Sequence, residues 1–331
     1  MKKLVALFPG QGAQFVGMGK SLYENFAVAK QTFEEASDAI SVNLKKLCFD
    51  GPESDLTLTE NTQPALVTVS VAAFRVAVQE KGFTPSIVAG HSLGEYSALV
   101  AAGSLNFSDA VKFVRTRGQA MQSAVPAGQG QMAAVMGMSD ELVLKLCEQA
   151  TKNAIEKRSK GASPDLTVEA IVEPANFNAP GQIVIAGSTD GVQEALALMA
   201  SDAAFKARAI PLSVSAPFHC KLMKPAREKM ADVFSKLSEA QKPKVLNCAY
   251  VPNRTARMTE ERGVVLELLI DQIDHPVLWK QTIETLVSAG YTESIEFGPG
   301  KVLAGLSKRI GGMQTRSVGD TEAIQALEDF R

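Results

Sequence analysis

The stretch SIVAGHSLGEYSALVAAG, residues 86–103, constrains the fold more than any other part of the chain, because it sets one serine between a strand pattern and a helix pattern. Ser86–Ala89 reads as a short buried strand, whereas Leu93, Tyr96, Leu99, Val100 and Gly103 recur at helical spacing. Ser92 therefore falls at the junction, inside a G-x-S-x-G pentapeptide. A sharp junction needs glycines on both sides, and Gly90 and Gly94 spare the turning backbone a Cβ clash. The hydroxyl then stands at a helix N-terminus, where backbone N–H groups can stabilise an oxyanion. Short patterns of this kind also occur in ordinary turns; with strand before and helix after, Ser92 is a candidate nucleophile.

Apolar strand patterns at Lys3–Phe8, Ser86–Ala89 and Thr292–Phe297 alternate with helical stretches, the signature of an α/β layered domain with a mainly parallel sheet. Between Gln131 and Ser213 the order changes to strand (MAAVMG), helix (SDELVLKLCEQATKNAIEKR), strand (VEAIVEPAN), strand (QIVIAG), helix (DGVQEALALMASD) and strand (KARAIPLSV). That is the split βαβ, ferredoxin-like order, its second and third strands joined by NAPG. The expected division is a large subdomain, 1–129 and 208–331, with a small subdomain, 130–207, inserted into it. The polar segment KRSKGASPD, 157–165, is expected to be an exposed loop. A chain of 331 residues is long enough for such a plan.

Charge narrows the partners. Lys plus Arg (34) nearly balance Asp plus Glu (36), so no global field advertises nucleic acid or an anionic membrane. Cys48, Cys147, Cys220 and Cys248 lie far apart with no C-x-x-C spacing, which argues against zinc and a dense disulfide framework and fits a reducing cytoplasm. The start MKKLVALFPGQG mimics a signal peptide, but Pro9 and Gly10 stop the apolar run, so it reads as a buried first strand. No later stretch is long enough to span a bilayer. The glycine-rich PGQGAQFVGMGKS fails as a phosphate loop: a Rossmann fingerprint needs glycine where Phe15 stands, and a Walker A needs it where Gln14 stands. Gly10 and Gly12 instead let the backbone approach a ligand closely, presenting the N–H of Gln11. If the first strand lies beside Ser86–Ala89, that N–H could face Ser92.

A serine hydroxyl attacks poorly without a neighbouring base, usually histidine, and the chain has three. His91 adjoins Ser92, so its side chain is expected to leave in another direction. His275 precedes Pro276 and opens the helix pattern PVLWKQTIETLVSAG, where capping or a surface role is expected. His219, in VSAPFHC, follows the point where the small subdomain rejoins the large one. A histidine in such an apolar stretch is often a core residue, yet this one borders an expected cleft and is the favoured base. In FSDAVKFVRTRGQAMQSAV, Ala110, Phe113, Val114, Arg117 and Met121 share one helix face, while Arg115 groups with Lys112, Gln119 and Gln122 on a solvated one. A buried guanidinium needs either an internal carboxylate or an anionic ligand, and a ligand carboxylate would accept two parallel hydrogen bonds from its fork.

These residues together resemble the malonyl-CoA:acyl carrier protein transacylases of fatty acid synthesis and the acyltransferase domains of polyketide synthases. The resemblance rests on FPGQGAQ (8–14), NTQPAL (61–66), GHSLGEYSAL (90–99), RG (117–118), NFNAPGQIVIAG (176–187), PFH (217–219) and GPGKVL (298–303), in that order along nearly the whole chain. It implies an α/β-hydrolase-like core with an inserted ferredoxin-like subdomain. Within that core, Ser92 would be the nucleophile and His219 the base. The N–H groups of Gln11 and Leu93 would form the oxyanion hole, and the Gln272 carbonyl would orient His219 in place of an aspartate. Arg117 would clamp the malonyl carboxylate, with Gln63, Met121, Asn176 and Phe218 also binding substrate. It further implies malonyl-CoA and acyl carrier protein as partners, no cofactor or metal, and a monomer. The segment 155–168 is longer than in typical members, and Phe218 is a weak guide to acyl choice. An acidic carrier would meet basic residues such as Lys221, Lys224, Lys301, Lys308 and Arg309. Rival readings are a polyketide acyltransferase, a non-catalytic binding scaffold, or a serine esterase or thioesterase. The last would need an aspartate, for which Asp109, Asp140, Asp165, Asp190 and Asp202 are available.

Overall fold

The computed structural model describes residues 3–161, 166–214 and 216–331. They form two compact units: Met1–Gln119, Val233–Leu269 and Thr282–Arg331 make the larger, and Ala120–Asp232 with Ile270–Gln281 the smaller.

The larger unit is built on a five-stranded sheet. Its strands are β1 (Leu4–Phe8), β2 (Ile87–Gly90), β7 (Ala249–Val251), β8 (Glu293–Phe297) and β9 (Gln314–Val318), ordered β7-β2-β1-β8-β9. Every pairing is parallel. A parallel sheet is covered on both faces, which is why β1 and β2 read as unbroken apolar runs and are buried at every residue. The rings of Phe8, Phe74, Phe83 and Phe297 meet with centroids 5.1 to 6.2 Å apart and fill the core beside β1. Two strands escape the hydrophobic pattern: β7 is three residues long, and β9, QTRSV, is a half-exposed edge. Phe8 pairs with Gly90, so β1 and β2 finish level and send their following loops to the same edge. That register places the Gln11 loop and the Ser92 turn side by side.

The smaller unit holds β3 (Gly130–Met136), β4 (Val172–Ala179), β5 (Gln182–Ser188) and β6 (Arg208–Pro211) in an antiparallel sheet ordered β4-β5-β3-β6. With helices Asp140–Ser159 and Thr189–Ser201 in their chain positions, this is the ferredoxin-like arrangement. Pro180 and Gly181 alone join β4 to β5, Gly181 taking the positive φ of 67° that the tight turn demands. Ser139 and Ser188 cap the two helices. Val143, Leu146, Val192 and Ala195 pack the helices onto Val135, Ile183 and Ile185.

This unit is wider than the expected 130–207. Phe177 N–H donates to Val277 O and Val277 N–H to Ala175 O, each at 2.9 Å, so the 270–281 segment is stitched to β4. β4 begins at Val172 rather than Val168, and β6 spans only 208–211. Of the expected loop 157–165, residues 157–159 complete a helix and 160–161 are an exposed turn, while 162–165 lie outside the described residues. The helix runs on because Arg158 is anchored: its fork meets both Asp190 oxygens at 2.6 and 2.7 Å, and Nη1 donates to Val168 O at 2.5 Å. Among the described residues no helix is long and apolar enough to cross a membrane, and no cluster of His, Cys, Asp or Glu is placed to hold a metal ion.

Candidate active site

The Ser92 turn is set by steric exclusion. A Cβ on Gly90 would fall 2.0 Å from the Gly94 carbonyl carbon, one on Gly94 2.2 Å from Phe8 O, and one on Gly10 2.6 Å from His91 O. The glycines thus let the start of helix Gly94–Ala101 and the loop after β1 close directly onto the end of β2. His91 N–H still donates to Phe8 O at 2.9 Å, and the chain then turns so sharply that Ser92 takes φ 51°. A side chain rarely adopts that conformation, and where one does the strain is held by its surroundings.

Asn253, two residues beyond β7, supplies the holding groups. Its Oδ1 accepts the Ser92 N–H at 2.6 Å, its Nδ2 donates to Gly90 O at 2.5 Å, and its own N–H donates to Glu95 Oε2 at 3.1 Å. Both Asn253 and Glu95 are buried. Because the Ser92 N–H is committed to Asn253, an oxyanion at Ser92 would have to find its donors among the neighbouring residues. Leu93 opens the first turn of a helix, where N–H groups have no intrahelical acceptor. Gln11 comes from the adjacent loop; its side chain is drawn aside to Thr59 Oγ1 at 3.4 Å, while Gln14 Oε1 folds back to accept the Gly12 N–H at 2.7 Å.

Arg117 reaches the same turn from helix Phe107–Ser123. Gly118 lets that helix touch the start of helix Thr59–Lys81, since a Cβ there would lie 2.7 Å from Thr59 O. Arg115 fastens the contact by donating to Glu60 O at 2.9 Å and to Asn61 Oδ1, with an ion pair to Glu60 at 3.3 Å. This corrects the solvated-face expectation for Arg115, whose partners sit 54 and 55 positions away and leave no trace in helical periodicity. Arg117, 1 % exposed, donates from Nη1 to Gln63 Oε1 at 2.8 Å and from Nη2 to Ser92 Oγ at 3.0 Å. Burial pulls its guanidinium below arginine's usual range, while Tyr96 and Glu95 favour the cation. An arginine stays charged even so. Met121, one turn farther along the helix, is buried.

His219 belongs to the smaller unit and is 4 % exposed. Its Nδ1 lies 2.6 Å from the Gln272 carbonyl, which can only accept, so Nδ1 carries the proton and Nε2 the basic lone pair. His219 also has a positive φ, 59°; among the described residues only Ser41, Ser92, His219 and Ala256 share this without being glycine. Phe218 and Asn176 are nearly buried in this unit, Asn176 at an irregularity of β4 where the strand also bridges Val277.

The geometry therefore joins Ser92, Arg117 and Gln63 through hydrogen bonds in the larger unit, and His219 and Gln272 in the smaller. The aspartates of the hydrolase reading are occupied: Asp140 by Lys280, Asp190 by Arg158, Asp109 by Asn106 and Gln241, and Asp202 by the Ala204 N–H. Asp165 lies outside the described residues. Lys221 pairs with Glu173 at 3.1 Å and Lys224 with Glu228 at 3.9 Å. His275 pairs with Asp274.

The larger unit holds a braced serine beside a buried arginine and the smaller a carbonyl-oriented histidine. Residues 5–311 match the acyl transferase domain, and the chain belongs to that family. Within it, the chain is 44% identical over 326 residues to the malonyl CoA-acyl carrier protein transacylase of Bacillus subtilis (strain 168), covering 98% of this chain and 96% of that protein. It superimposes with a TM-score of 0.89 on the acyl carrier protein S-malonyltransferase from Vibrio cholerae O1 biovar eltor str. N16961, at 42% identity over 99% of this chain and 100% of that one. A malonyl-transacylase in complex with its type II PKS acyl-carrier protein matches with a TM-score of 0.88 and 39% identity, over 98% of each chain.

Proposed function

We propose that this chain moves malonyl from malonyl-CoA to the phosphopantetheine thiol of acyl carrier protein through an ester on Ser92, serving fatty acid synthesis. The Ser92 hydroxyl gives its proton to His219 Nε2 as Oγ attacks the thioester carbon. The oxyanion gathers the N–H groups of Gln11 and Leu93. Collapse expels the CoA thiolate, which takes the proton from His219. The carrier thiol then gives its proton to His219 and attacks the ester, and Ser92 leaves with that proton. Thioester and serine ester are close enough in energy that no ATP, cofactor or metal enters. The protein acts as a monomer in the cytoplasm.

The observation that carries this reading is Arg117, a buried permanent cation hydrogen-bonded to the candidate nucleophile itself. A malonyl ester on Ser92 sets its free carboxylate against that guanidinium, which orients the acyl group. Gln63, Met121, Asn176 and Phe218 complete the substrate-binding set. Incubation with malonyl-CoA should give a hydroxylamine-labile mass increase on Ser92 that Ser92→Ala abolishes; its persistence in the variant would refute the assignment.

A further inference from the structure

The carbonyl that orients His219 is a main-chain group, so its place depends on the backbone that carries it. Gln272 directly follows helix Val265–Asp271, where carbonyls lack an intrahelical donor, and a shift of its peptide would break the 2.6 Å contact. Two carboxylates flank this peptide, Asp271 before it and Asp274 after it, and both are gripped by one guanidinium. Arg227 Nη2 lies 2.5 Å from Asp271 Oδ1, and Nη1 donates to Asp274 Oδ1 at 2.9 Å. His275 closes the bracket, its Nδ1 lying 2.8 Å from Asp274 Oδ1 and 2.9 Å from Asp271 O.

Arg227 stands eight positions after His219, on helix Lys224–Ser235. The buried Met223, Ala226 and Met230 fix that stretch in the smaller unit. The same short piece of chain thus carries the imidazole at one end and, at the other, the clamp on its hydrogen-bond acceptor. These ion pairs are partly exposed at Arg227 and tie two points of the chain on either side of Gln272.

We infer that Arg227 is a positioning residue: by bridging Asp271 and Asp274 it holds the Gln272 carbonyl against Nδ1 and keeps His219 in the tautomer whose Nε2 accepts the serine proton. This rests on the Ser92–His219 reading. A misplacement of about 1 Å costs up to roughly a hundredfold in rate, which bounds the effect.

The test uses the full-length protein labelled with 15N-histidine. It measures the rate of Ser92 malonylation in Arg227→Gln, Arg227→Lys, Asp274→Asn and His219→Ala, and the His219 tautomer in the first three. Arg227→Gln should slow malonylation about tenfold and turn a single Nδ1–H tautomer into a mixture. Asp274→Asn should do the same to a smaller degree, and it stands in for Arg227→Gln should that variant not fold. Arg227→Lys should keep most of the rate. An unchanged tautomer in Arg227→Gln and Asp274→Asn, whether or not the rate falls, overturns the inference while His219→Ala remains inactive. A fully active His219→Ala instead overturns the underlying reading.

Discussion

Ser92 and His219 share a backbone conformation that side chains seldom adopt, φ 51° and 59°, yet different contacts surround the two. In the larger unit, glycines at 10, 90 and 94 bring backbone within distances no Cβ would permit, and Asn253 spans the turn from Gly90 to Ser92. In the smaller unit, a main-chain carbonyl fixes the imidazole, and the chain around that carbonyl is tied by ion pairs. Ser92 is thus set by close packing and an amide brace, and the His219 ring by electrostatics. A packed site tolerates no change of volume, whereas an electrostatic one responds to charge.

Removing the base should have the largest effect. His219→Ala should slow both acylation and deacylation by about a hundredfold to ten-thousandfold, measured separately in single-turnover experiments. Unequal losses would break the symmetry that one base for both half-reactions requires. Asn253→Ala cuts the brace on the other half while leaving the glycines in place. Labelling of Ser92 by a fluorophosphonate should slow by about tenfold, because the N–H released from Oδ1 lets the turn relax. An unchanged labelling rate would mean that glycine packing alone sets the nucleophile.

The smallest effect comes from a pair in the smaller unit that touches neither Ser92 nor His219. Burial alone would raise Asp190, but the Arg158 fork, with Ser188 and the Gly191 N–H, outweighs it and holds the carboxyl at about 2. A depressed carboxylate contributes stability that is complete above its ordinary range and is lost as pH falls toward 2, amounting to about 2 kcal/mol. Asp190→Asn should therefore flatten acid unfolding between about pH 4 and 2, followed by circular dichroism, with malonyl transfer at neutral pH unchanged.

What the sequence disclosed follows the same division. Steric devices leave residue types behind: the glycines around Ser92 and the period-3.6 stripe that turns Arg117 inward were legible, whereas Gly118 entered only within a family motif. So were both sheets, except where a strand was too short or too exposed to show a pattern, as in β7 and β9. Asn253 was missed because it follows that three-residue strand, in a segment with no periodicity to place it beside residue 92. Arg115 was misjudged because Glu60 and Asn61 are distant in sequence. The Gln272 carbonyl came only from family resemblance, since any residue type supplies a carbonyl.

On the proposed reading, the buried guanidinium at 117 selects a diacid for the serine at 92. That selection is tested most directly by exposing wild type and Arg117→Ala to an equimolar mixture of malonyl-CoA and acetyl-CoA and weighing the acyl-enzymes formed. Wild type should carry malonyl almost alone. The variant should lose malonylation by on the order of a hundredfold or more and retain acetylation, because only the malonyl carboxylate needs the cation as its buried partner. Equal losses of both acyl groups, or a variant that still prefers malonyl, would contradict the account.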